Sequence, residues 1–122
     1  MLRFHALVQG KSGEAACSLA VTFDEALQAL ATFPRMFIEP DGSFVWTGEA
    51  ADDARWQVDG NLIDCGPSLA YVELKGHCAV EQFDALLAAL GWPQQQLLFQ
   101  LPDQGVLLDE SEFRLLAAGG DV

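Results

Sequence analysis

Basic side chains are scarce in this sequence: six Lys and Arg stand against 18 Asp and Glu, for a formal net charge of −12. A surface so charged repels phosphate backbones and anionic lipid headgroups, so sequence-independent binding to nucleic acid or to a membrane has no electrostatic basis. The acids are spread along the chain rather than gathered in a tail. That distribution serves solubility first, with attraction of a basic partner or mimicry of nucleic-acid charge as the functional readings. Cysteine is sparse too. Cys17, Cys65 and Cys78 are an odd set with no C-x-x-C pair, which fits a reducing compartment better than a disulfide framework. No apolar run approaches the roughly 18 residues of a spanning helix. The stretch from Met1 to Val8 holds one basic residue and a three-residue apolar run after His5, shorter than a secretory core segment. These absences predict a cytoplasmic protein.

Catalytic and cofactor signatures are missing as well. No serine sits in a G-x-S-x-G elbow, and only His5 and His77 are present to act as a base. The glycines form neither G-x-G-x-x-G nor a phosphate-cradling loop. Cys65, His77 and Cys78, with Cys17 or His5 as a fourth ligand, match no zinc spacing. Asp52-Asp53 and Asp109-Glu110 lack the alternating oxygen ligands of a calcium loop. With 18 acids some carboxylates must lie close together, so such pairs carry no diagnostic weight. The expectation is no metal, no cofactor, and a non-enzymatic role ahead of an enzymatic one.

What the chain does hold is apolar and aromatic material in strand-like order. Its 122 residues suit one domain, 1–122, and eight Phe, three Trp and one Tyr argue for a packed core. From Met36 to Lys75 the pattern has period two. The segments Met36–Glu39, Ser43–Thr47, Arg55–Val58, Asn61–Asp64 and Leu69–Lys75 read as strands, with turns at Asp41-Gly42, Asp59-Gly60 and Gly66-Pro67. A two-residue turn at Asp59-Gly60 sets Trp56, Val58 and Ile63 on one face and Gln57 and Leu62 on the other. Leu2–Val8 reads as an outer strand, and Ala15–Val21 as either strand or lead-in to a helix.

Thr22 with Glu25, and Asp109 with Glu112, have the spacing of capping boxes. They open helices through Phe23, Ala26, Leu27 and Leu30, ended by Pro34, and through Phe113, Leu116 and Ala117, ended by Gly119-Gly120. Between them lies the second helix in chain order, Ala79–Leu90, which carries Val80, Phe83, Leu87 and Leu90 on one stripe and is stopped by Gly91 and Pro93. Leu97–Leu101 and Val106–Leu108 read as a hairpin or as a strand and covering loop. Grouped strands flanked by helices give an α+β fold: an antiparallel β-meander of about five strands with two or three helices packed on one face.

Two sets of residues stand out. His77-Cys78 lies where the last meander strand meets the second helix, where a helix dipole and a nearby imidazolium would favour a thiolate. An ordinary packing cysteine is the plainer alternative. On the opposite sheet face Val45, Leu62 and Tyr71, joined by Trp92 after the second helix, form an apolar patch suited to a partner. The functional expectation is a non-enzymatic protein–protein interaction domain whose partner is another protein or a second copy in a homodimer. The alternative is a small-ligand or hydrolytic pocket between sheet and helices. Size, acidity and the helix–sheet mix also resemble those of small acidic secretion chaperones and toxin-immunity inhibitors, although no residue motif carries either resemblance.

Overall fold

Alternating apolar residues build most of this fold, because a strand that buries one face must place a hydrophobic side chain at every second position. The computed structural model describes residues 1–50 and 52–119. Its strands are β1 (Leu2–Ser12), β2 (Ala15–Cys17), β3 (Leu19–Thr22), β4 (Met36–Ile38), β5 (Ser43–Glu49), β6 (Arg55–Cys65), β7 (Ser68–Cys78), β8 (Leu97–Gln100) and β9 (Leu107–Asp109). The helices are α1 (Phe23–Ala31), α2 (Val80–Ala89) and α3 (Glu110–Ala117). The fold is α+β, as the pattern implies. The nine strands form a single antiparallel sheet in the order β4-β5-β6-β7-β1-β8-β9, with β2 beside β1 and β3 beside β7. No helix among the described residues is long and apolar enough to cross a membrane.

The helix starts follow their capping chemistry. Thr22 Oγ1 accepts the Glu25 N–H at 3.1 Å, and Glu25 Oε1 accepts the Thr22 N–H at 2.8 Å. Asp109 and Glu112 repeat the exchange at 2.8 and 3.0 Å. Each exchange satisfies two backbone donors that a helix start otherwise leaves open. Ala79 precedes α2 without a capping side chain, but Gln82 Oε1 accepts its N–H at 3.0 Å. Gly91, at φ 102°, takes the left-handed position after α2. Of the Gly119-Gly120 pair expected to end α3, Gly120 lies outside the described residues.

Three sequence expectations are corrected. First, β6 runs unbroken through Asp59-Gly60, so there is no turn there and the two short strands are one. Asp59 pairs with Val45 and Lys75, and Gly60 pairs with Phe44 and Leu74. The glycine is required for space: a Cβ at Gly60 would collide with the ring of Phe44. Gly48, opposite Trp56, is covered in the same way by that indole. The aromatic-over-glycine pairs flank the Trp46–Val58 pair and let large rings lie flat against the sheet. Second, with no turn the parity of β6 continues. Leu62 falls on the helix side with Trp56 and Val58 and is 1% exposed, while Ile63 falls on the other face. Third, β1 is not an outer strand. It pairs with β7 over Leu2–Val8 and with β8 over Leu7–Gly10, which puts it in the interior of the sheet.

All three helices lie on one face. Trp46, Val58, Gly76 and Phe4 form one row across β5, β6, β7 and β1. Over this row Phe33, just after α1, packs on Trp46 with ring centroids 4.8 Å apart. Phe83 of α2 and Phe113 of α3 meet Phe4 at 5.2 and 6.4 Å. Phe113 also stacks on Phe99 of β8 at 4.5 Å. Among the described residues no polar or charged residue is buried.

One half-buried cation ties the helical layer together. Arg114 donates to Asp84 of α2 at 2.7 Å and to Glu110 of its own helix, and its guanidinium lies over the rings of Phe83 and Trp92.

Candidate partner-binding face

The sheet face opposite the helices is composed of the alternate residues, and strand register groups them into rows. One row runs Arg3, His77, Gln57, Thr47 across β1, β7, β6 and β5. Arg35 extends it, donating through Nε to the Thr47 carbonyl at 3.1 Å. The next row runs His5, Lys75, Asp59, Val45, Phe37. Arg55 and Glu49 pair on the far side of the first row, with Nε and Oε1 3.9 Å apart.

These three rows hold four Lys and Arg against two acids, a net of +2. The rest of the chain has two Lys and Arg against 16 acids, a net of −14. The chain's few cations are thus concentrated at one end of the uncovered face. Both histidines are there too. His5 Nε2 lies 2.8 Å from Glu73 Oε2, and His77 Nε2 lies 3.2 Å from the Arg55 carbonyl, so His77 carries its proton on that nitrogen. Gln57 donates to Asp59 at 2.8 Å. A groove of about 600 Å³ opens along this end, lined by Arg35, Thr47, Glu49, Arg55, Gln57 and His77 among others.

Apolar contacts on the same face come in cross-strand pairs. Phe37 of β4, 68% exposed, lies opposite Val45, 36% exposed. Ile63 and Tyr71, both half-buried, pair across β6 and β7. Of the four residues expected to form the patch, the structure brings Val45 and Tyr71 to this face. Leu62 is in the core because β6 does not turn, and Trp92 lies on the helical side beneath Arg114. Their places are taken by Ile63 and Phe37.

His77 and Cys78 are adjacent in β7 and therefore point to opposite faces. His77 is on the open face. Cys78 is fully buried opposite Leu2, and burial pushes its thiol up to about 12. Neither a charged imidazole nor solvent reaches the sulfur, so the geometry opposes a reactive thiolate. Cys17 is half-buried, Cys65 is exposed, and all three cysteines are free thiols. Among the described residues no group of three His, Cys, Asp or Glu is arranged to hold a metal ion.

Reasoning from sequence missed the cationic rows. Their signal was present: Arg3, Arg55, Lys75 and His77 all stand at the polar positions of alternating strands. Only cross-strand register shows that they meet. Comparison with known proteins finds no matching family model, no matching curated protein and no matching solved structure.

Proposed function

We propose that this protein is a non-enzymatic binding domain that contacts another polypeptide through its open sheet face. The observation that carries the reading is the segregation of charge: a net of +2 on three rows of one face, on a molecule whose remainder carries −14. Solubility needs no such segregation, whereas complementary patches steer and orient an encounter. The apolar pairs Phe37–Val45 and Ile63–Tyr71 add contact area on the same face.

A different polypeptide suits this face better than a second copy. In a two-fold dimer pairing these rows face to face, each cationic row would lie against its own equivalent, and like charges would oppose. An enclosed hydrolytic centre is less well supported: Phe83, Phe99, Phe113 and leucines fill the middle of the layer between sheet and helices, no polar residue among the described residues is buried there, and the cleft of about 540 Å³ at its edge, beside Phe4, Phe113 and Leu116, opens to solvent. Three free thiols favour a cytoplasmic, reducing setting. A chaperone or immunity-type inhibitor is one form this binding role can take.

The test is mobility in native-host extract. Wild-type protein should elute in a complex larger than the purified chain, and Val45→Asp with Tyr71→Ser should elute as the free chain while unfolding at the same denaturant concentration. Identical elution of wild type and variant would refute the reading.

A further inference from the structure

Resting on the open-face reading, we propose that the cationic rows take an acidic, extended segment of the partner, laid across the strands between Arg3 and Arg35. Arg114 shows how this chain uses a cation for stability: it is paired with Asp84 and Glu110 and stacked on two rings. The open-face cations are treated differently. Among the described residues, Arg3 and Lys75 form no salt bridge, and Arg35 spends only its Nε, on a carbonyl. Arg55 is 87% exposed and only loosely opposed by Glu49. In a chain with 18 acids, Arg3, Arg35 and Lys75 form no salt bridge with a carboxylate among the described residues and Arg55 only a loose, exposed one, which keeps these cations available to carboxylates from outside.

Spacing favours an extended chain. Adjacent strands lie about 4.8 Å apart, so the row from Arg3 to Arg35 spans roughly 19 Å, the length of about six extended residues. Arg55 and Lys75 stand on either side of the row's centre at Gln57. Cations set around a line suit several single carboxylates better than one compact anion. Glu49, on the groove wall beside Arg55, further disfavours dense negative charge such as phosphate. A nucleic acid would also carry its charge past this patch and over the strongly acidic remainder.

The probe is a fluorescent peptide of about eight residues, glutamate alternating with serine, with glutamine replacing glutamate in the control. Anisotropy against the full chain should show binding of the glutamate peptide only, weakening as salt rises from about 0.05 to 0.15 M. Arg35→Asn with Arg55→Gln should lower affinity by about tenfold, asparagine being chosen because it tolerates the left-handed backbone at Arg35 (φ 60°). Lys11→Ser, outside the three rows, should leave binding unchanged.

Equal binding of the two peptides, or an unaffected double variant, would overturn the proposal. So would displacement by inorganic phosphate at matched charge, or tighter binding of a single-stranded oligonucleotide. A peptide that fails while open-face variants still lose their complex in host extract defeats only the acidic-segment proposal. A peptide that binds while those variants keep their complex supports the cationic site and defeats the open-face reading of the physiological contact.

Discussion

Phe44 lies directly opposite Gly60 in the β5–β6 ladder, and its ring occupies the space a Cβ on Gly60 would need. Gly60→Ala should therefore destabilise the protein by about 1–3 kcal/mol, the usual range for overpacking. Phe44→Leu should cost stability alone but recover part of the loss when combined with Gly60→Ala. Urea denaturation of the four-member cycle checks this, and a coupling near zero would contradict the packing.

This pair also explains where the sequence misleads. Asp-Gly between strand-like runs is a strong hairpin signal, because glycine accepts a positive φ. Gly60 is present for a different reason, the approach of a ring from another strand. Nothing local distinguishes the two uses. The consequence was not confined to the turn, since continuing β6 carries Leu62 into the core and Ile63 out of it.

Interactions within a few residues were legible from the sequence. Both capping boxes form, Gly91 takes its left-handed place, and the Asp41-Gly42 hairpin joins β4 and β5. The interior position of β1 was not legible, because its partners β7 and β8 are set by pairing over long separations. The cationic rows were hidden for the same reason: Arg3, Arg55 and His77 become neighbours only through register.

Removing Arg114 should loosen the helical layer. Arg114→Met keeps the stem but leaves Asp84 and Glu110 without their cation. The expected loss is about 1–2 kcal/mol, discounted because Asp84 is half-exposed to screening water. Trp92→Phe, which weakens the cation–ring contact, should also lower stability and leave partner binding intact. A binding defect at Trp92 with unchanged stability would contradict its placement on the helical side.

Thiol accessibility should follow burial. Titration of the native protein with an aromatic disulfide should modify Cys65 quickly and Cys17 slowly, with Cys78 reacting only on unfolding, because burial raises its thiol to about 12. Rapid modification of Cys78 in the folded chain would place it elsewhere.

Acid should weaken the start of α3. Hydrogen bonds from the Glu112 backbone and from Ser111 hold the Asp109 carboxyl below its ordinary 3.8. A carboxylate depressed by folding contributes stability that is present above the unfolded value and lost as pH falls through the folded one. Backbone amides of α3 should therefore exchange faster as pH falls below 3.8 than the intrinsic rate accounts for, and Asp109→Asn should remove that dependence while keeping the cap.

The most direct measurement of the open-face claim is position-resolved photo-crosslinking in the native host. A photoreactive residue at Val45 or Phe37 should give one discrete adduct with another polypeptide. The same residue at Leu115, exposed on the helical side, should give none. Adducts from Leu115 and none from Val45 or Phe37 would show that the helices, not the open sheet, meet the partner.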